Sequence, residues 1–206
     1  MSSPASPEPG AAAAQPAFRL DNEHLAFRFT ATVSDRYGSP VERLPTPARL
    51  DDWLEATGLR LGPDPAAPPH LALAHRLREA IHRTGTALAG SGTRGVTDPR
   101  PEDVELINRL ASEGETFPEL TASGLAWRTR STDTTGAALG LIAQHAITVF
   151  GSEDRDRIKA CENPDCGGLY VDTSRARNRR WCSMNHCGNR AKKARFRGPR
   201  ATDVVP

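Results

Sequence analysis

The chain has 206 residues, which is enough for one medium-sized domain and a small appended module. Its 27 Lys and Arg nearly balance its 25 Asp and Glu, and no apolar run approaches the roughly 18 residues of a membrane-spanning helix. Residues 1–17 are rich in Ala, Pro, Ser and Gly without Lys or Arg, so we predict a disordered tail and no targeting signal. We therefore expect a cytoplasmic protein that has no membrane partner.

The near-neutral total hides a charge asymmetry along the chain. Residues 1–154 carry 14 Lys and Arg against 20 Asp and Glu, whereas residues 155–200 carry 13 against 4. A basic cluster of this kind is the electrostatic footprint of a nucleic-acid-binding module. We divide the chain accordingly into the tail 1–17, an acidic domain 18–154, a basic module 155–200 and a short tail 201–206.

The first half of the acidic domain contains one predicted strand and two predicted helices. Ala26 to Val33 alternates apolar or β-branched residues with others, which predicts a strand. Thr46 can cap a helix over Pro47 to Thr57, because proline suits the first helical position. Apolar residues then recur at helical spacing over about His70 to Ala89.

The second half adds two helices and a strand. Pro101, followed by two acidic residues, suits the start of a helix. The residues around Trp127 alternate, and we predict that they pair with the early strand. Ala137 to Phe150 is the most apolar run of the chain, so it should form a helix at the core of this domain.

The acidic domain shows no convincing set of catalytic residues. His75, His82 and His145 lie on predicted helices without a cysteine or a suitably spaced carboxylate nearby. The Asp51-Asp52 pair lies early in a helix, where acidic residues stabilise the helix dipole. We therefore expect that the protein is not an enzyme.

All four cysteines fall in one window, as Cys161-x4-Cys166 and Cys182-x4-Cys187. Paired ligands a few residues apart can reach one ion through a tight turn, and four thiolates form a closed tetrahedral zinc site. Two disulfides or free thiols are the alternatives, and His186 is a substitute ligand; four sulfurs confined to so short a window favour one structural Zn²⁺.

A β-hairpin and a helix should surround this site. Leu169 to Asp172 is strand-like and can lie beside Ile158 to Ala160. Ser183 to Arg197 lacks proline and is rich in Ala, Lys and Arg, which predicts a C-terminal helix. The aromatic side chains of the module should form its small core: Tyr170, Trp181 and Phe196. The fold class is thus mainly α with a few short strands.

Basic side chains of the module are the candidates for nucleic-acid contact. Phosphate contacts give affinity without sequence information, whereas base reading requires a side chain in a groove. Arg190, Lys193 and Arg197 fall on one face of the predicted helix and are the base-reading candidates. The candidate set comprises Arg175, Arg177, Arg179, Arg180, Asn189, Arg190, Lys192, Lys193, Arg195 and Arg197.

The run from Cys161 through Tyr170-x-Asp172 and Arg180-Trp181-Cys182 to Cys187-Gly188-Asn189-Arg190 resembles the CGNR zinc-finger family, named for its last tetrapeptide. In that family the finger follows a helical domain called ABATE, described as a stress-induced transcription regulator, and the Leu50-x2-Trp53-Leu54 segment is similar to it. The resemblance implies DNA binding by the finger and a regulatory N-terminal domain, to which a small-molecule effector could bind. RNA binding, or a finger that contacts only protein, remains the alternative.

Overall fold

The computed structural model describes residues 15–89 and 98–197, with side chains as far as Ala194. Among these residues no helix combines the length and the apolar character needed to cross a membrane. Residues 1–14 of the predicted tail 1–17, the end of the basic module at 198–200 and the whole predicted tail 201–206 lie outside the described residues. At the start of the described chain, the carbonyls of Pro16 and Ala17 accept hydrogen bonds from Arg49 and Arg43, so residues 16 and 17 already contact the domain.

The described chain is mainly helical with short strands, which confirms the predicted fold class. The helices are α1 (Leu25–Thr30), α2 (Pro47–Ala56), α3 (Pro68–Leu88), α4 (Pro101–Glu113), α5 (Thr134–Gly151) and α6 (Asn189–Arg197). The strands are β1 (Val33–Ser34), β2 (Val41–Glu42), β3 (Thr116–Thr121), β4 (Gly124–Thr129), β5 (Ile158–Ala160) and β6 (Leu169–Val171). They form three antiparallel hairpins, β1–β2, β3–β4 and β5–β6.

Helix α5 lies at the centre of the core, as its apolar run predicted. Its side chains are buried around most of its circumference, because α1, α3 and α4 all pack against it. The predicted boundaries of α2 and α3 hold to within about two residues, and α4 begins at the predicted Pro101. The hydroxyl of Thr46 accepts a hydrogen bond from the backbone N–H of Arg49, which is the predicted cap of α2.

The predicted strand over Ala26 to Val33 is wrong. This segment forms α1 and only the first residue of the short strand β1. Ala26, Phe27, Phe29 and Thr30 are all buried, and their spacing of three and four residues suits one helical face as well as it suits alternation. A short apolar run is compatible with both structures, and packing against α3 and α5 favours the helix here.

The strand around Trp127 exists, but its predicted partner is wrong. It pairs with β3, a strand that the sequence analysis missed, in a hairpin where Pro118 lies opposite Trp127 and Leu120 opposite Leu125. A hairpin between neighbouring segments requires no long loop closure, whereas pairing with the early strand would require one of about one hundred residues.

Candidate metal centre and nucleic-acid interface

The four cysteine sulfurs meet at one point between the β5–β6 hairpin and the segment before α6. All four Sγ atoms lie within 4.8 Å of one another, and Cys182 Sγ lies 3.6 Å from Cys166 Sγ and 3.8 Å from Cys187 Sγ. A disulfide would require about 2.05 Å. Sulfurs that surround one ion tetrahedrally at about 2.3 Å lie about 3.8 Å apart, so this cluster has the size of a four-thiolate metal site.

The first pair of cysteines is held by a tight turn. The Asn163 side chain caps this turn by accepting from the backbone N–H of Asp165, and the Cys166 N–H donates to the Asn163 carbonyl. Gly168, two residues after Cys166, packs directly against the sulfur cluster. A Cβ atom at this position would lie 2.9 Å from Cys182 Sγ and 3.2 Å from Cys166 Sγ, so the site requires a residue without a side chain.

The second pair of cysteines lies at the start of the C-terminal helix. The Ser183 hydroxyl accepts from the His186 N–H, and residues Met184–Gly188 form a single wide π-helical turn before α6 begins at Asn189. The predicted helix thus begins with an irregular turn, which lets Cys187 reach the cluster. The His186 side chain is exposed, and the metal-binding cluster contains the four cysteines without it.

Asp172 organises the loop between the two cysteine pairs, a role that the sequence analysis did not assign. Its carboxylate accepts from Lys159 Nζ at 2.6 Å, from the Ser174 hydroxyl and from the backbone N–H of Arg179. Burial raises the pKa of Asp172, but these hydrogen bonds outweigh it and hold the pKa well below its usual range. The only signal in the sequence is an acidic residue two positions before a serine, which is too common to be diagnostic.

The finger, as we call residues 158–194, is packed onto the helical domain. Ile158, Leu169 and Val171 belong to the same buried cluster as the core of that domain. Their place in a hairpin was predicted from the sequence, whereas their burial against the helical domain was not. One continuous core therefore runs through both regions.

Hydrogen bonds fix the first cysteine turn to the β1–β2 hairpin and to α3. The backbone N–H groups of Arg36 and Tyr37 donate to the carbonyls of Cys166 and Asp165, at 3.2 and 3.0 Å. From α3, His82 Nε2 donates to the Gly167 carbonyl at 2.7 Å. Burial and the charge of Arg36 lower the pKa of His82 to about 4, so this ring is neutral near pH 7.

An ion pair joins α6 to the β1–β2 hairpin. Arg190 Nη1 lies 2.8 Å from Asp35 Oδ1, and Arg19 contacts the other carboxylate oxygen at 3.3 Å. The hydrogen bond to Asp35 raises the pKa of Arg190. Burial alone would raise the pKa of Asp35, but the hydrogen bond from Arg190 and the charge of Arg19 lower it overall. The arginine of the CGNR tetrapeptide therefore contacts the helical domain in this conformation.

Two other candidate arginines make contacts within the finger. Arg179 lies over the Tyr170 ring at 4.5 Å and donates to the carbonyls of Trp181 and Cys182, beside the cluster. Arg180 pairs with Glu162 and lies over the Trp181 ring at 5.2 Å. Both arginines therefore hold the loop between the two cysteine pairs in place.

The remaining candidates with described side chains point to solvent. Within the described part of the chain, the side chains of Arg175, Arg177, Lys192 and Lys193 make no hydrogen bond or ion pair, and all four are exposed. The Asn189 amide donates to the Asn185 carbonyl, at 3.4 Å. The side chains of Arg195 and Arg197, and that of the predicted core residue Phe196, lie outside the described residues. Of the other predicted core residues, Tyr170 is buried and Trp181 is half-buried.

Comparison with known families identifies both regions. Residues 23–153 match the ABATE family, whose description reads "Putative stress-induced transcription regulator", and residues 157–200 match the CGNR zinc finger. No curated protein shows a significant match to the chain. Because the first match alone spans more than half of the sequence, the protein belongs to the ABATE family and carries a CGNR zinc finger after its ABATE domain.

Proposed function

We propose that the finger binds one structural Zn²⁺ and attaches the protein to DNA, through which the ABATE domain regulates transcription. The observation that carries this proposal is the set of four exposed cations, Arg175, Arg177, Lys192 and Lys193, that have no partner among the described residues. The role is one of binding, without an enzymatic step.

Zinc suits the cluster because of its ligands and its surroundings. Four thiolates favour Zn²⁺, which has no geometric preference of its own and accepts a closed tetrahedral shell. With three of its apolar residues in the core shared with the ABATE domain, the finger has little apolar core of its own to hold its loops. Metal binding would supply that stability, as in small zinc domains that fold only with their metal.

Nucleic acid suits the exposed cations because no described residue of the ABATE domain pairs with them. If the acidic domain were the partner of the finger's charge, its carboxylates would pair with several of these side chains. Among the described residues only Arg190 forms an ion pair across the interface. Phosphate groups are the complementary partner for the other cations, and contacts to them dominate nucleic-acid affinity.

The first experiment tests binding to duplex DNA, with RNA as the competing ligand. The zinc-loaded full-length protein is incubated with random and genomic duplex DNA, in the presence and absence of single-stranded RNA, and the bound fragments are sequenced. We expect an enriched duplex motif that RNA does not displace, because sequence-specific RNA recognition targets unpaired bases.

Two controls make the selection interpretable. A metal-chelated sample should lose enrichment, because the thiolate turns position the basic loop and α6. The double variant Arg109→Ala/Arg128→Ala removes two exposed arginines of the ABATE domain and should enrich the same motif as the unmodified protein. Displacement of duplex DNA by RNA would replace DNA by RNA as the ligand, and no retention of either would refute nucleic-acid binding.

A further inference from the structure

A cavity of about 220 Å³ opens between α3, α4 and α5 of the ABATE domain. Its walls are apolar and come from three helices: Leu88, Val104, Ile107, Ile147 and Phe150. Val104 and Ile147 are 37% and 39% exposed and lie at the mouth, whereas Ile107 is 3% exposed. An apolar cavity with an open mouth and a buried floor is the usual form of a small-molecule site.

A buried hydroxyl in this cavity has no hydrogen-bond partner in the part of the chain that the structure describes. Thr84 lines the cavity and is only 4% exposed, yet its Oγ1 contacts no donor or acceptor among the described residues. Other helical threonines behave differently: Thr86 and Thr148 donate to the carbonyls four residues before them. An unpaired buried hydroxyl costs about 1–3 kcal/mol, so a group that completes it would be favoured there.

A guanidinium group and an amide lie at the solvent-exposed rim of the cavity. Arg155 and Asn108 border the cavity, and both are exposed. Within the described ranges neither side chain forms a hydrogen bond or an ion pair. A cation and an amide at the mouth are suited to a carboxylate, which can remain partly hydrated there. The cavity thus offers an anion-binding rim, apolar walls with one aromatic ring, and a hydroxyl at a buried position.

We propose that this cavity binds a small aromatic carboxylate that carries a hydroxyl group at the end opposite its carboxylate. The carboxylate would contact Arg155 at the rim, the ring would lie between Ile107 and Phe150, and the hydroxyl would pair with Thr84. A water molecule occupies about 30 Å³ in the liquid, so the cavity holds a ligand of about seven to ten heavy atoms. 4-Hydroxybenzoate has this size and this arrangement of groups.

The cavity shares a side chain with the contact between the ABATE domain and the finger. A Cβ atom at Gly85 would meet Leu169 Cδ1 at 2.7 Å and the Phe150 ring at 3.5 Å, so these two side chains meet above Gly85. Phe150 lines the cavity, and Leu169 belongs to β6 of the finger. A bound ligand would therefore contact a residue that packs near the finger.

The test is calorimetric titration of the zinc-loaded full-length protein with 4-hydroxybenzoate, benzoate and 4-hydroxybenzyl alcohol. Binding is read on the protein alone, so the result does not depend on whether the finger binds DNA. We expect one saturable site, with 4-hydroxybenzoate bound about fivefold to tenfold more tightly than benzoate because of the additional hydrogen bond. Thr84→Val keeps the side-chain shape and should abolish that preference while leaving benzoate affinity unchanged.

A pair of arginine variants tests the rim. Arg155→Gln should weaken both acids at least about tenfold and leave the uncharged alcohol unaffected, because a hydrogen bond between two ions is lost. Arg157→Gln is the matched control on the same short helix, Glu153–Arg157, and should change neither. Ile147→Trp, at the exposed mouth, should block all three probes even if Thr84→Val proves unstable.

Several results would overturn the proposal. They are the absence of saturable binding for all three probes, a hydroxyl preference that survives Thr84→Val, and affinities that neither Arg155→Gln nor Ile147→Trp changes. The last two would place the bound probe elsewhere on the protein. A hydroxyl preference that survives Thr84→Val, together with lower thermal stability of that variant, would show that the Thr84 hydroxyl serves the fold and not the ligand.

Discussion

The ABATE domain and the finger are stabilised in different ways. The domain surrounds a large apolar core in which α5 is buried on most sides, and side chains such as Leu50, Trp53 and Leu77 are fully inaccessible. The finger has three short-strand residues in that same core, and the rest of it is held by thiolates, by the Asp172 network and by Arg179. Burial of apolar surface stabilises the first region, whereas directed polar contacts stabilise the second, to which the proposed zinc would add metal contacts.

This difference explains how a short basic segment can be rigid without a core of its own. A metal bound by the four cysteines would fix both cysteine turns, and backbone hydrogen bonds from Arg36 and Tyr37 fix the first turn to the domain. Side chains that would otherwise be needed for packing are thereby free to point to solvent. Damage to each region should therefore have distinct consequences.

The largest effect should come from loss of the metal. Chelation, or Cys187→Ser, should unfold the finger, because structural zinc in small domains contributes about 10–16 kcal/mol of apparent binding free energy. Amide hydrogen exchange should show loss of protection in β6 and α6 and retained protection in α5. Protection that falls equally in α5 would mean that the two regions unfold as a single unit.

A core substitution in the ABATE domain should have the next largest effect. Leu77→Ala removes a fully buried side chain of α3 and should lower the free energy of unfolding by about 2–5 kcal/mol. Denaturant unfolding followed by circular dichroism measures this loss. In native buffer the variant should still bind one equivalent of zinc, since Leu77 contributes to the domain core and no thiolate. A loss of zinc in native buffer would contradict the distinction between the two regions.

Gly168→Ala should weaken the metal site without touching a ligand. The new Cβ would lie within 2.9 Å of Cys182 Sγ, so a sulfur must shift and zinc affinity should fall on the order of tenfold. Competition with a chromophoric chelator measures that affinity. Gly151→Ala is the matched control, because a Cβ there meets no described atom within 4 Å and should leave zinc affinity unchanged.

The smallest effect should come from the ion pair across the interface. Asp35→Asn keeps a residue that tolerates the positive φ of 51° at this position but removes the charge that Arg190 contacts. Arg190 is half exposed, so the finger should open more easily by only about 1 kcal/mol, detected as faster hydrogen exchange in α6. Unchanged exchange would mean that the Arg190–Asp35 ion pair does not hold α6 in place.

Much of this architecture could be predicted from the sequence where a local signal existed. The cysteine spacing predicted the cluster, Thr46 and Pro47 marked the start of α2, and the apolar run predicted α5. The strand predicted over Ala26 to Val33 was wrong because this short apolar pattern fits both a strand and a helix, and only packing decides between them. The Arg190–Asp35 pair links residues 155 positions apart, and no periodicity or composition encodes such a contact.

The central claim is that the cations left free by the fold bind nucleic-acid phosphates, whereas those engaged in the fold do not. Its most direct test is the salt dependence of duplex DNA affinity for two variants of the zinc-loaded protein. Arg177→Ala removes a free cation, and Arg180→Ala removes one that pairs with Glu162. Each phosphate contact contributes about 0.9 to the slope of log affinity against log salt concentration.

We predict that Arg177→Ala makes this negative slope shallower by about 0.9, the contribution of one phosphate contact, and weakens binding to all sequences alike. Arg180→Ala should leave the slope unchanged, and Lys193→Ala tests whether α6 behaves like the loop. Equal slopes for the unmodified protein and for the Arg177 and Lys193 variants, measured on folded samples that contain zinc, would contradict the account.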